Sequence, residues 1–186
     1  MTPTTSYLSH FLRFIVVGSY ENGLNCRGWR RKVMNILVVY DSVFGNTEKV
    51  ALAIGTALHA KVLRVGDVKL EQLRNLDALI VGSPTQAFQP LKSVKAFIKN
   101  LPAGELKGVR IAAFDTRMDV KEVNNRLLTI LERLFGYAAE PITTQLLKKG
   151  GTQALTPAGF IVSGKEGPMK AGELERAIEW AKHIGS

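Results

Sequence analysis

From Met34 onward, short apolar runs alternate with segments of helical period, the pattern of a parallel sheet covered by helices on both faces. Ile36-Leu37-Val38-Val39-Tyr40 is continuously apolar rather than alternating, as befits a strand buried on both faces. Past Asn46, the residues Val50, Ala51, Ile54, Ala57 and Leu58 recur at helical spacing and predict a helix ending near His59. Residues 61–65 predict a second strand, 70–75 a short helical turn, and 78–82 a third strand ended by Ser83-Pro84. Pro90 then precedes Leu91, Val94, Ile98 and Leu101, a helix whose other face carries Lys92, Lys95 and Lys99 as a solvated stripe. Residues 109–114 predict a fourth strand. Asp119 and Glu122 have capping-box spacing ahead of Val123, Leu127, Ile130, Leu131 and Leu134, a helix that Gly136 stops. The fifth strand is expected to be split or interrupted: residues 137–142 are one candidate and 159–162 another, with a polar stretch through Lys148, Lys149, Gly150 and Gly151 between them. Leu174, Ala177, Ile178 and Ala181 place a closing helix to about His183. The fold class is therefore α/β, a doubly wound five-stranded parallel sheet in the order 2-1-3-4-5.

Residues 1–33 read differently. Thr2, Pro3, Thr4, Thr5 and Ser6 lead into an apolar patch at 11–17, which is too short to span a bilayer, and then into a basic stretch at 27–32. No Lys or Arg precedes the patch, and Tyr20, Glu21 and Asn22 follow it, so it does not have the form of a secretory signal. Residues 1–33 are read as an N-terminal extension, disordered or arising from a mis-assigned start with Met34 as the true one, and 34–186 as the domain. Composition sharpens this picture in two ways. The single Cys26 excludes an internal disulfide framework and any multi-cysteine metal site, which points to a cytoplasmic protein whose redox chemistry, if it has any, is not carried by thiol pairs. The net charge of +9 raises nucleic acid as a partner, but residues 1–33 contribute +4 of it, the remaining basic residues are dispersed, and no nucleic-acid motif occurs.

In an open parallel sheet, ligands bind beyond the C-terminal strand ends, where the strand order reverses. The first loop there, Asp41-Ser42-Val43-Phe44-Gly45-Asn46-Thr47, offers two hydroxyls, an amide and backbone N–H groups at a helix N-terminus, which suits a phosphate. It contains neither G-x-G-x-x-G nor G-K-[ST], so a dinucleotide or a nucleoside triphosphate is not indicated. Ser42 has no His-Asp pattern for nucleophilic catalysis, and His59 and His183 are read as helix-surface residues rather than metal ligands.

Residues 40–47, with the helix after them, the Val81-Gly82-Ser83-Pro84-Thr85 turn and the order of elements together resemble the flavodoxin family over about residues 35–184. The resemblance implies a flavodoxin-like domain with FMN bound non-covalently, its phosphate on Ser42, Gly45, Asn46 and Thr47, with Val43 and Phe44 of the same loop also contacting the cofactor. It also implies that a second loop, Ser83, Pro84, Thr85, Gln86, Ala87 and Phe88, lies against the ring system. In the family this loop often holds a glycine that lets a peptide flip on reduction. Here Ala87 and Phe88 stand in its place, and because a side chain resists positive φ, strong stabilisation of the one-electron state is not expected. Phe88 either stacks on the flavin or packs against the following helix. In the third loop, 114–119, Asp115 and Thr116 are expected at the pyrimidine or ribityl edge and Arg117 opposite negative charge on reduced flavin or on a substrate. Family members often have a covering aromatic residue at this place; this loop has none, and Met118 either lies there instead or takes a core or surface role. The implied functions are electron transfer to a redox partner protein or a small-molecule acceptor, oxidation or reduction of a quinone- or porphyrinogen-like substrate, or an interaction domain without FMN. Family carriers are commonly acidic, so the +5 on residues 34–186 favours an acidic or membrane-associated partner.

Overall fold

The computed structural model describes residues 33–118, 137–164 and 166–186. The chain divides into two units, Met1–Val33 and Met34–Ser186, and every element described below belongs to the second. The helix expected over 119–134 and the reading of residues 1–32 lie outside the described residues.

Strand β1 (Ile36–Tyr40) leads into helix α1 (Asn46–Leu58), followed by β2 (Lys61–Arg64), two short 3-10 turns, β3 (Ala78–Pro84), α2 (Lys92–Asn100) and β4 (Arg110–Met118). Helix α3 (Ala139–Lys148), β5 (Thr152–Gln153), β6 (Ala158–Val162), α4 (Glu173–Lys182) and a last 3-10 turn follow among the described residues. The sheet is parallel in the order β2-β1-β3-β4-β5, and β6 also pairs with β4. The expected interruption of the last strand is thus present: β5 pairs with Arg110 and Ile111 at one end of β4, and β6 pairs with Phe114 to Met118 at the other.

Successive residues of the central strands feed two separate cores. Ile36, Val38, Ile80 and Phe114 face Val50 and Ile54 of α1 and Ala177 and Ala181 of α4. Leu37, Val39, Leu79, Val81 and Ile111 face Val94 and Ile98 of α2 and Ile142 and Leu146 of α3. This is why the strand sequences are unbroken apolar runs. Phe114, Phe160 and Trp180 form a mutually packed aromatic group with centroid separations of 6.0–6.4 Å. Removing a buried ring such as Phe114 or Phe160 costs about 3–5 kcal/mol in comparable cores.

Three elements differ from the sequence expectation. Residues 137–142 are not a strand: α3 begins at Ala139, and Ala139, Ile142, Thr143 and Leu146 form its buried face. Pro141 is tolerated because it sits in the first helical turn, where the missing N–H costs no internal bond. Strand β3 continues through Ser83 and Pro84, which pair with Asp115 and Thr116. Pro84 fits because β1 stops at the Tyr40–Gly82 pair, leaving that end of β3 unpaired on one side. Strand β4 runs on to Met118, so the expected third loop, 114–119, is largely strand.

The outer side of β6 is held by the following chain. Ile161 donates its N–H to the Glu173 carboxylate at 2.6 Å, Lys170 donates to Ile161 O at 3.0 Å and Ser163 to Pro168 O at 2.8 Å. Arg176 bonds both Gly159 O and Glu173, and its charge helps hold the partly buried Glu173 carboxyl below its ordinary pKa against the upward pull of burial.

At Gly82, a β-carbon would fall 2.1 Å from the Phe114 ring, which crosses the sheet at its cross-strand partner. Gly82→Ala is expected to cost about 1–3 kcal/mol through overpacking, read as a lower midpoint in urea unfolding. An unchanged midpoint would show that the ring does not depend on that gap.

Candidate functional site

The chain order reverses between β1 and β3, and the segments leaving β1 and β3 together with the end of β4 line a cleft of about 450 Å³. That is within the range of roughly 300–1,000 Å³ common for small-molecule sites.

The first wall is the loop after β1, fixed from beneath by Asp41. Its carboxylate accepts bonds from Ser93 Oγ of α2 at 2.5 Å, Arg64 Nε of β2 at 2.8 Å and the Ser42 N–H at 2.8 Å. Burial raises the Asp41 carboxyl, but these three bonds outweigh burial and hold it below its usual pKa. Arg64 also donates to Ser42 O at 2.6 Å. Within the loop, Gly45 donates its N–H to Ser42 Oγ at 3.0 Å and adopts φ 81° at the N-cap of α1, a conformation that favours glycine. The chain thereby turns so that the N-terminus of α1 opens at the cleft, where Ser42, Asn46 and Thr47 line it. Thr47, only 1% exposed, shares a hydrogen bond of 2.8 Å with Thr116 Oγ1 of β4. Asn46 Nδ2 donates to Glu166 O at 2.7 Å, tying the segment after β6 to the same helix end. Val43 and Phe44 also line the cleft and keep large exposed surfaces.

The second wall follows β3. Pro84, Thr85, Gln86 and Ala87 line the cleft; Ser83 does not, because its buried hydroxyl accepts the Leu91 N–H at 2.9 Å just before α2. Gln86 and Gln89 exchange backbone hydrogen bonds of 2.9 Å around Ala87 (φ 46°) and Phe88 (φ 62°). This has the form of a two-residue I′ turn, whose usual occupants are Asn-Gly. The turn thus adopts positive φ at two side-chain-bearing residues, contrary to the resistance read from the sequence. The two cross-turn bonds hold it there, and the Phe88 ring packs near Tyr137, 6.4 Å between centroids, rather than lining the cleft. Left-handed non-glycine residues cost about 1–3 kcal/mol each.

The third wall is the end of β4. Thr116, Arg117 and Met118 line the cleft, and Val162 of β6 joins them. Asp115 lies behind them with no exposed surface. Its two oxygens accept Arg117 Nε and Nη2, both at 2.6 Å, and Oδ2 also accepts the Ala139 N–H at 3.0 Å. Thr85 Oγ1 accepts the neighbouring Ala138 N–H, so a carboxylate of β4 and a hydroxyl just past the end of β3 together start α3. The Arg117 guanidinium carbon sits 3.4 Å from the Tyr137 ring centroid, and a β-carbon at Gly159 would fall 2.1 Å from its Nε. Burial pushes Asp115 up to about 6, against the lowering effect of Arg117 and the Ala139 N–H.

Of the residues singled out from the sequence, Ser42, Val43, Phe44, Asn46, Thr47, Pro84, Thr85, Gln86, Thr116 and Arg117 come together in one cleft. Gly45, Ser83, Phe88 and Asp115 support it from outside the lining. Arg64, Ser93, Tyr137 and Glu166 are not among the residues singled out from the sequence; all but Arg64 reach the site through a long-range contact that local sequence does not encode. The exception is Arg64, which ends the strand paired with Tyr40 and so had a register-based signal.

Ala87→Gly removes the strain at an exposed position and is expected to add about 1 kcal/mol of stability after allowing for the extra freedom of the unfolded chain. A destabilised glycine variant would contradict a strained turn. For Asp115, the folded pKa of about 6 exceeds the unfolded value, so the folded state binds more protons between pH 4 and 6. Its contribution to stability therefore falls as pH rises through that window and is level above it. The stability of wild type minus that of D115N, measured by urea unfolding, should decline from pH 4 to 6; a rise over the same interval would refute the raised value.

Comparison with known proteins gives a consistent picture. The model of the flavodoxin domain family matches residues 37–159. The fold is similar to oxidised flavodoxin 1 from Bacillus cereus, with 16% identity, TM-score 0.63, and 81% of this chain and 96% of that one covered. A flavodoxin from the domain Archaea is 24% identical with TM-score 0.56, covering 82% of this chain and 100% of that one. Rubredoxin oxygen:oxidoreductase from Desulfovibrio gigas is 19% identical with TM-score 0.62, this fold accounting for 35% of that longer chain and 81% of this one. No curated protein matches the sequence. With the family match spanning most of the chain, and with the strand order in agreement, the chain belongs to the flavodoxin domain family.

Proposed function

We propose that the cleft binds FMN non-covalently and that the protein is a redox flavoprotein. The observation that carries this reading is the N-terminus of α1 opening at the cleft beside two buried hydroxyls, Ser42 and Thr47, with no lysine or arginine in the loop. Backbone N–H groups, hydroxyls and the helix dipole suit a phosphate monoester without a charged side chain. The residues present fit the group: Ser42, Gly45, Asn46 and Thr47 would hold the phosphate, Thr116 the polar part next to it, and Pro84, Thr85, Gln86 and Ala87 one side of the ring system. Bound FMN would supply the electron-accepting and electron-donating centre. The chain supplies position: Asp41 fixes the phosphate loop to β2 and α2, and the closed turn at 86–89 fixes the second wall.

The partner is a redox protein or a small-molecule acceptor, and the protein acts as a carrier in a cytoplasmic setting. No helix among the described residues is long and apolar enough to cross a membrane. One observation favours a second reading, an oxidoreductase with a quinone- or porphyrinogen-like substrate. Val43, Phe44 and Met118 border the same cleft and are 50%, 42% and 43% exposed, an apolar margin suited to a flat, poorly soluble molecule.

The purified protein is expected to be yellow, or to become so with added FMN, with the free-flavin spectrum perturbed on binding. Thr47→Val should weaken FMN by about tenfold or more, as loss of a hydrogen bond to a charged group does, and riboflavin by much less. Equal loss for the two ligands would remove the phosphate assignment, and a protein with no FMN affinity would leave only the interaction-domain reading.

A further inference from the structure

Among the described residues that line the cleft, Arg117 alone carries a formal charge. It is also immobilised to an unusual degree for a long side chain. Asp115 grips two of its nitrogens, Tyr137 lies against the guanidinium face, and Gly159 leaves the space into which its Nε fits. Its side chain is 14% exposed, whereas that of Asp115 is fully buried behind it and does not reach the cleft. A ligand in the cleft therefore meets the cation before its counter-ion. The pair with Asp115 engages only Nε and one Nη2 proton, and no other acceptor among the described residues is bonded to the guanidinium. Among the described residues the remaining N–H groups have no acceptor, and they can serve an oxygen or a negative charge in the cleft.

We infer that Arg117 is the residue by which this cleft distinguishes the reduced flavin from the oxidised one, binding the reduced, anionic form more tightly. The inference rests on the FMN reading above. A flavin that has taken up two electrons and one proton carries one more negative charge than the oxidised flavin. A fixed cation facing the cleft therefore favours the reduced form, and by linkage raises the two-electron midpoint potential. The neighbouring surroundings do not oppose it: the cleft lining holds no carboxylate among the described residues, and Asp115 is screened by the guanidinium itself. The arrangement also gives Gly159 a purpose, since any side chain there would displace the guanidinium.

The test compares dissociation constants for oxidised FMN and for FMN reduced anaerobically with dithionite, in wild type, R117Q, R117K and D115N. R117Q is expected to weaken reduced FMN on the order of tenfold more than oxidised FMN, which for a two-electron couple is a fall of about 30 mV in midpoint. R117K should keep most of the wild-type preference, because it keeps the charge. D115N should shift the preference the other way, towards reduced FMN, because it removes the counter-charge; it serves as the decisive variant should R117Q fail to fold. Equal weakening of both redox forms in R117Q, or a D115N shift in the same direction as R117Q, overturns the inference. Absence of FMN binding by the wild type is a different outcome and overturns the proposed function itself.

Discussion

The pairing of β6 with the last five residues of β4 is the constraint on which the site depends. Strand β3 pairs with β4 only as far as Thr116, so without β6 the chain beyond Thr116 would have no partner for its backbone groups and would leave the sheet, as a loop normally does at a strand end. Held in register with Ala158 to Val162, it stays extended as far as Met118. Alternation along an extended chain then decides what faces what: Thr116 meets Thr47, while Asp115 and Arg117 share the opposite side of the strand and meet each other. The same register sets Gly159 opposite Asp115, so the residue lacking a side chain is the one over which the guanidinium must lie.

A second set of bonds holds the other wall. Asp41 joins three elements that are far apart in sequence, β2 through Arg64, α2 through Ser93 and its own loop through Ser42. The loop is short and contains a glycine, so it would be mobile on its own. Tied at its base, it presents its hydroxyls and the helix N-terminus in one arrangement, and the ordering cost is met during folding rather than at binding. The left-handed turn at Ala87 and Phe88 belongs to the same logic: local strain is tolerated where the surrounding bonds over-determine the backbone.

Much of this was legible in the sequence. The unbroken apolar runs at Ile36–Tyr40 and after Asp77, together with helical spacing at Val50, Ile54, Val94 and Ile98, carry the doubly wound order, because each strand must be covered on both faces. The loop from Ser42 to Thr47 was legible because glycine, hydroxyl and helix-start signals coincide within six residues. The start of α3 was not. Tyr137 to Ile142 has strand-like composition at its beginning, and the groups that hold the first N–H groups of the helix, Asp115 and Thr85, lie more than twenty residues earlier in the chain. The true extent of β4 was hidden for the same reason, since Asp115 and Arg117 look like loop residues until their mutual ion pair and the facing glycine are known. Phe88 has the composition of a ring-stacking residue but is turned towards Tyr137, a neighbour that only the tertiary structure supplies.

The chain that follows β6 has a bearing on how copies of this protein behave towards one another. An open sheet ends in two unpaired strand edges, each a template on which a second chain can add. Here one edge is β2, only four residues long, with Lys61 and Arg64 at its ends. At the other, the outward groups of β6 are already engaged by Glu173, Lys170 and Arg176. Neither side therefore offers a long apolar row of free donors and acceptors, and a sheet made of some of the most β-prone sequence in the chain is kept from growing beyond its own molecule.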